Sequence, residues 1–266
     1  MAGVMVDQQE ACAAGEKVTR AYVELLREAR YPGKPAVGEW TIGDTAMHTA
    51  QVFEKYAEAA EGDGSFPVPQ SSSLNDYWAK RLREEPERDP AAAAGRIEAA
   101  ATTIWPAYAA MGSDDVVKWY GGVEVPAFTP PSIMITEALV HGFDIARAAD
   151  KPWPIDRDIA RLSVRGLFPL LPVYLDKDAA RDVRICFELS LRGGPPAYLT
   201  IENGALSVDQ TPPRPVDCKL SVDPAAYLLV GYGRVGQWGP ILRGKVLAYG
   251  RKPWLGLKLG KLIANP

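Results

Sequence analysis

The hydrophobic pattern of this 266-residue chain changes near residue 150. Before that point, apolar residues recur at intervals of three and four, which predicts amphipathic helices. After Lys151, the stretches RICFELSLRG, AYLTIENG and ALSVDQ alternate apolar and polar residues, which predicts strands. Helices followed by strands with a few helices indicate an α+β chain, with one domain over residues 1–150 and a second over residues 151–266.

The first part of the chain is predicted to be a four-helix bundle with one additional short helix. The predicted helices cover residues 7–30, 41–61, 75–85, 90–111 and 131–149. Thr41 and Asp44 have the spacing of a capping box, so the second helix begins at Thr41. Gly121 and Gly122, flanked by residues that favour strands, predict a short hairpin before the last helix.

The second part is predicted to be a small domain that mixes strands and helices. Besides the three strands above, CKLSVD and KVLAYG are predicted strands, and Glu202-Asn203-Gly204 is a hairpin turn. The predicted helices are Arg157–Leu175, Pro224–Val230 and Lys252–Ile263.

The chain has two histidines, His48 and His141, and both lie in predicted helices. Glu137 precedes His141 by four residues, so the two side chains project from the same helical face. Apolar residues surround Glu137 in sequence, and a carboxylate in such a setting needs a partner. With His48, this pair offers three N/O ligands and one open position, the composition of a catalytic zinc site. The ordinary alternatives are an exposed Glu137–His141 pair and a core histidine at position 48.

Charge and cysteine content limit the possible partners and compartment. The formal net charge is -3, but residues 211–266 carry nine Lys and Arg against two Asp. No nucleic-acid motif accompanies these cations, so an anionic small substrate is the expected partner and nucleic acid is not. Cys12, Cys186 and Cys218 show no disulfide or zinc-knuckle spacing, which favours a reducing cytoplasm. We expect neither export nor a membrane partner, because no stretch approaches about 18 uninterrupted apolar residues.

The residues WTIGDTAMH (40–48) and EALVHGFD (137–144) resemble the mycothiol-dependent maleylpyruvate isomerase family. This resemblance implies a DinB-like four-helix bundle that holds a divalent metal, generally zinc, through His48, Glu137 and His141. It also implies mycothiol or a similar low-molecular-weight thiol as cosubstrate. Asp144 could accept a hydrogen bond from a ligand imidazole and assist catalysis, or it could be an ordinary solvated acid.

The second half is similar to the sterol-carrier-protein-like domains that are often joined to this bundle. The similarity lies in VDCKLSVDPAAYLLVGYG and LRGKVLAYGRKPWLGLKLGKL. The resemblance to the isomerase family implies that an arginine of this half helps to hold the carboxylates of the substrate. Arg243 and Arg251 are the candidates for this catalytic role, and Arg234 is the candidate for binding the thiol cofactor.

These predictions describe a zinc enzyme that uses a small thiol against a small electrophile. Addition of the thiolate to a double bond, then rotation and expulsion, is cis-trans isomerisation, whereas displacement of a leaving group is S-transfer. The expected assembly is a monomer or a weak homodimer. Two alternatives stay open, a non-catalytic protein that binds an apolar ligand and a hydrolase that uses zinc-bound water.

Overall fold

The computed structural model describes residues 6–66 and 73–263. Internal contacts divide the chain into two compact units, Val6–Pro154 and Ile155–Pro266. The first unit is helical and the second combines a mixed sheet with short helices, so the predicted α+β fold class is confirmed. The division follows Pro154, whereas the sequence analysis placed the domain boundary after Asp150. The sterol-carrier-like character of the second unit stays a prediction.

Five helices lie in the described part of the first unit. They are α1 (Gln8–Glu28), α2 (Ile42–Glu61), α3 (Leu74–Glu84), α4 (Pro90–Ala109) and α5 (Thr129–Ala148). Both α1 and α2 pack against α4 and against α5, so these four helices form a bundle. The shorter α3 packs against α2. Val18, Tyr22 and Leu25 lie on one face of α1 and are buried, as a core-facing helix requires.

Helix α2 begins at the predicted capping box. The Asp44 backbone N–H donates to Oγ1 of Thr41 at 3.1 Å, and the Thr41 backbone N–H donates to Oδ2 of Asp44 at 3.0 Å. The Arg88 side chain also donates to Oδ1 of Asp44 at 2.6 Å. Two N–H groups at the start of the helix are thereby satisfied, which fixes where α2 begins and which way His48 projects.

Two short antiparallel ribbons accompany the bundle helices. In the first ribbon, β1 (Pro35–Val37) pairs with β2 (Trp40–Thr41), directly before α2. In the second, β3 (Val116–Lys118) pairs with β4 (Glu124–Pro126), which confirms the hairpin predicted around Gly121 and Gly122. Both glycines have positive φ, 69° and 76°, in the left-handed region that favours glycine. The β1–β2 ribbon was not predicted, because strands this short show no alternation.

The second unit contains a five-stranded sheet in the order β7-β6-β5-β8-β9. The strands are β5 (Arg184–Leu191), β6 (Ala197–Glu202), β7 (Ala205–Asp209), β8 (Cys218–Val222) and β9 (Val246–Tyr249). β5 and β8 are parallel, and the other neighbours are antiparallel. Asn203 and Gly204 have φ of 52° and 70°, so the predicted hairpin turn between β6 and β7 is confirmed.

Helix lengths in the second unit differ from the prediction where prolines intervene. The predicted helix Arg157–Leu175 ends early, as α6 (Arg157–Gly166), and a 3-10 turn at Phe168–Leu170 follows. Pro169 explains the break, since proline lacks the N–H that would continue the helical ladder. Similarly, the predicted helix Lys252–Ile263 is a 3-10 turn followed by α9 (Gly256–Leu262), because Lys252 precedes Pro253 and is non-helical.

Two further helices lie between β8 and β9. The predicted helix Pro224–Val230 is present as α7 (Pro224–Gly231), whereas α8 (Trp238–Leu242) was not predicted. Five residues are too few for a helical period to show in the sequence. Among the residues that the structure describes, no helix combines the length and apolarity needed to cross a bilayer.

Candidate metal centre

The three predicted ligands converge inside the helical bundle. His48 projects from α2, and Glu137 and His141 project from α5, which packs against α2. One nitrogen or oxygen of each residue lies within 4.8 Å of the other two. Oε2 of Glu137 is 3.2 Å from Nε2 of His141 and 3.6 Å from Nε2 of His48. The two imidazole centroids are 5.3 Å apart, so both rings face one carboxylate oxygen.

Helical spacing and burial together produce this geometry. Glu137 and His141 meet because residues four apart are stacked on one helical face. Both histidine rings are largely buried, and the Glu137 side chain is 20% exposed. The neighbours on α5, including Ile135, Ala138 and Leu139, are buried as well. The carboxylate is therefore held in an apolar surrounding where it must be balanced by positive charge.

The electrostatics of the cluster keep the Glu137 carboxylate ionised. Burial by itself raises the pKa of Glu137, but interactions with His141 and His48 outweigh burial and hold that pKa well below its usual range. Burial by itself lowers the pKa of His141, but Asp144 and Glu137 outweigh it and raise that pKa. Ionised Glu137 attracts positive charge, and two nitrogens and one oxygen are a donor set that suits zinc.

Asp144 faces the other nitrogen of the His141 ring, on the side opposite Glu137. Its Oδ2 is 3.3 Å from Nδ1 of His141, and its side chain is fully buried. Oδ1 of Asp144 is 3.9 Å from the Arg147 guanidinium, which also donates to the Ala36 carbonyl in β1 at 3.2 Å. With the Nδ1 proton directed at Asp144, the lone pair of Nε2 would be available to a metal ion held beside Glu137. The contact places Asp144 within reach of the ring, and its role as an acceptor stays a prediction.

Two tryptophans that the sequence analysis did not single out contact the histidines. The Trp40 ring lies 4.7 Å from the His48 ring and 6.2 Å from the His141 ring, between centroids. Trp78 of α3 meets His48 edge-on at 5.6 Å. The signal for Trp40 was its position directly before the cap of the helix that carries His48. Trp78 has no comparable signal, because its approach depends on how α3 packs.

A family comparison covers the part of the chain that contains this cluster. The family described as "Mycothiol maleylpyruvate isomerase N-terminal domain" matches residues 12–146, half of the chain. The chain belongs to this family. The match includes all three residues of the cluster, so the family resemblance inferred from WTIGDTAMH and EALVHGFD is confirmed.

Solved structures support the same fold for this member of the mycothiol maleylpyruvate isomerase family. A crystal structure of a mycothiol-dependent maleylpyruvate isomerase is 14% identical, with a TM-score of 0.51, covering 91% of this chain and 92% of that one. A histidine-to-alanine mutant of such an isomerase matches at 13% identity with the same TM-score and coverage. At this identity the likeness shows the fold. No curated protein matches the chain in sequence.

A third structure resembles this family member more distantly. It is a stereoselective inverting sec-alkylsulfatase from Pseudomonas sp., 15% identical, with a TM-score of 0.32. The alignment covers 81% of this chain and 32% of that one. A similarity this low supports no inference about fold or function.

The three arginines predicted to serve this family member's reaction all lie in the second unit. Arg251 donates to Oδ1 of Asp217 at 2.6 Å, and Arg234 donates to the Tyr232 carbonyl at 2.8 Å. Arg243 follows the last residue of α8 and is exposed. These hydrogen bonds of Arg251 and Arg234 are to residues of the same unit. The substrate-binding role of Arg243 or Arg251 stays a prediction. The thiol-binding role of Arg234 stays a prediction as well.

Proposed function

We propose that this protein is a zinc-dependent enzyme that activates mycothiol or a similar low-molecular-weight thiol. The thiol adds to, or substitutes on, a small electrophile, which makes the enzyme a cis-trans isomerase or an S-transferase. The observation that carries the proposal is the convergence of His48, Glu137 and His141 from two packed helices. Family membership supports the thiol, because the solved structure of similar fold is a mycothiol-dependent isomerase.

The donor set fits zinc and leaves a position for a reactant. Histidine nitrogen and carboxylate oxygen are ordinary zinc ligands, and three of them are typical of catalytic sites, where the fourth position stays open. A bound zinc ion would lower the pKa of a thiol in that position, so that the thiolate is available at neutral pH. Asp144 holds the imidazole of His141 in orientation, and the ring of Trp40 limits rotation of both histidines.

The chain's own thiols are poor candidates for the nucleophile. Cys12, Cys186 and Cys218 are all buried and reduced. Burial raises the pKa of Cys12 to about 12 and also raises the pKa of the other two. A thiol with a raised pKa carries little thiolate at neutral pH. A diffusible thiol is therefore the better nucleophile, and three free cysteines suit a reducing compartment such as the cytoplasm.

Substrate binding completes the proposal. A small electrophile with carboxylates matches the cationic second unit, where Arg243 and Arg251 are the candidate clamps and Arg234 the candidate for the thiol. For Arg251, the carboxylate of Asp217 already occupies one donor nitrogen, so the other nitrogens would serve the substrate. The expected assembly is a monomer or weak homodimer.

The proposal is tested by metal removal and thiol omission. Purified protein would be stripped with a chelator, reloaded with zinc, and assayed with maleylpyruvate and with chromogenic electrophiles, each with and without mycothiol. We expect turnover to require both zinc and thiol, with a pH midpoint below the value of about 8.5 for a free thiol. His48→Ala should lose zinc and turnover. Thr136→Ser, which keeps the hydroxyl next to Glu137, should retain both.

Two results would replace this proposal with one of its alternatives. Equal turnover in the absence of any thiol would identify water as the nucleophile and the enzyme as a zinc hydrolase. An apolar ligand bound equally well by the zinc-free protein and by His48→Ala, with no turnover of any electrophile, would identify a binding protein.

A further inference from the structure

Helix α8 and strand β9 expose an unusual number of large apolar side chains. Trp238 and Leu242 are 60% and 86% exposed, and Leu247 and Tyr249 are each 47% exposed. Trp238 and Leu242 are four residues apart in α8 and share a helical face, whereas Leu247 and Tyr249 alternate onto one face of β9. Contiguous exposed apolar residues mark interaction sites more often than ordinary surface.

The backbone that presents these side chains is firmly held. The Lys245 N–H donates to the Pro240 carbonyl at 2.8 Å, and the Asp223 N–H donates to the Lys245 carbonyl at 2.7 Å. The Arg192 side chain donates to the Gly244 carbonyl at 2.6 Å. β9 also pairs with β8 along its length. The exposure of Leu242 and Leu247 is therefore a property of ordered structure and not of a loose loop.

The same segment is strongly cationic. Residues 224–263 contain seven Lys and Arg and no Asp or Glu. Arg243 and Lys245 lie between the two apolar pairs and are exposed. Two acids on or beside the neighbouring strands β5 and β8 are already paired, Asp223 with Arg157 at 3.0 Å and Glu188 with Lys219 at 2.9 Å. The surface formed by Trp238, Leu242, Arg243, Lys245, Leu247 and Tyr249, here the α8–β9 surface, thus combines apolar and positive groups.

We propose that the α8–β9 surface docks the protein onto an anionic lipid bilayer. Tryptophan and tyrosine favour the membrane interface, leucine enters the acyl boundary, and lysine and arginine pair with anionic headgroups. The sequence analysis expected no membrane partner because it considered apolar runs of spanning length. A peripheral surface is assembled from four separate apolar residues and leaves no such run. This inference does not rest on the proposed thiol chemistry, although Arg243 is shared with the proposed substrate site.

A second copy of the chain fits this surface less well than a bilayer does. A symmetric dimer brings the same patch of both copies together. Arg243 and Lys245 would then face their own counterparts, with no acid in residues 224–263 to balance them. Juxtaposed like charges oppose association. An anionic surface satisfies the same cations and still buries the apolar side chains.

The test is sedimentation of the full-length protein with vesicles of phosphatidylcholine, with and without phosphatidylglycerol. We expect binding to the anionic vesicles that weakens with added salt. The double variant Trp238→Ser with Leu242→Ser should lose this binding. Lys245→Gln should weaken it about fivefold, the effect of one cation at an anionic surface. Lys245 serves as the charge variant because Arg243 also belongs to the proposed substrate site.

Matched controls separate lipid binding from loss of fold. Val173→Ser alters another exposed apolar residue of the second unit, 46% exposed, and should bind vesicles like the unmodified protein. Circular dichroism and melting temperature establish that each variant is folded. No preference for anionic vesicles, or equal binding by the folded double variant, would overturn the proposal. The proposal would also be overturned if light scattering showed a dimer of the unmodified protein that is absent in the double variant, while neither protein bound lipid.

Discussion

Oδ2 of Asp144 lies 3.3 Å from Nδ1 of His141, on the opposite side of the ring from the carboxylate of Glu137. This places one buried imidazole between two carboxylates of the same helix. Such an arrangement fixes both the orientation and the tautomer of a metal-binding histidine. In the proposed metal centre, Asp144 would therefore act without contacting any reactant.

Asp144→Asn should weaken zinc binding by about 10- to 100-fold, the usual effect of losing a carboxylate behind a histidine ligand. Asparagine keeps an oxygen that can accept the hydrogen bond from Nδ1 of His141. It removes the negative charge that makes Nε2 a stronger ligand for zinc. Zinc affinity would be measured by competition with a chromophoric chelator. Asp150→Asn is the matched control, because Asp150 is an exposed acid just beyond the end of the same helix. Unchanged zinc affinity together with a lower melting temperature would reduce Asp144 to a structural role.

Glu137→Gln should weaken zinc binding more than Asp144→Asn does, because it removes an anionic ligand itself. The side chain keeps its shape, so the loss reports charge and not packing. The zinc that remains would carry a higher effective charge, and thiol affinity per bound zinc should rise. Isothermal titration of zinc and then of thiol measures both quantities. A parallel fall in zinc and thiol affinity would contradict this reading of Glu137.

Gly142→Ala should destabilise the bundle, although alanine is normally the better helix residue. A Cβ at position 142 would lie 2.3 Å from the Trp153 ring, which is held in place by a hydrogen bond to the Leu139 carbonyl at 3.0 Å. Gly95→Ala is the matched control, since a Cβ there meets nothing within 4 Å. That variant should stabilise α4 by about 0.5 to 1 kcal/mol. Thermal unfolding should therefore show a lower melting temperature for Gly142→Ala and a higher one for Gly95→Ala.

Local sequence spacing predicted the features that depend on neighbours within one turn or one hairpin. The capping box of Thr41 and Asp44, and the stacked pair Glu137 and His141, each arise from residues three or four apart. The approach of His48 to that pair also followed, because bundle helices bury their polar ligands together. The capping box and the stacked pair needed no knowledge of how distant segments pack, whereas the approach of His48 needed the bundle arrangement that packs α2 against α5.

Contacts that do not follow from the bundle arrangement or from local spacing could not be read from the sequence. Trp78 reaches His48 only because α3 packs against α2, and no spacing links the two residues. Arg251, a candidate for holding a substrate carboxylate, also donates to Asp217, 34 residues earlier in the chain, and no sequence spacing indicates this contact. The sheet order that brings β8 beside β9 creates this pair.

Asp217 should make the stability of the second unit sensitive to acid. Its side chain is fully buried and accepts from the Cys186 backbone N–H at 3.1 Å and from Arg251 at 2.6 Å. Burial by itself raises the pKa of Asp217, but these hydrogen bonds and the charge of Lys252 outweigh it and lower the pKa to about 2.

Because the folded pKa is lower than the unfolded value, the stabilisation is present at neutral pH and is lost as the pH falls from about 4 to about 2. The expected loss is about 2 to 3 kcal/mol. Hydrogen exchange of β5 and β8 amides, corrected for intrinsic rates, measures it. Asp217→Asn should be less stable at neutral pH and lack this pH dependence, whereas the exposed Asp182→Asn should retain it. If Asp217→Asn lost the same amount of stability as the pH falls from about 4 to about 2, other carboxylates would be responsible for the effect.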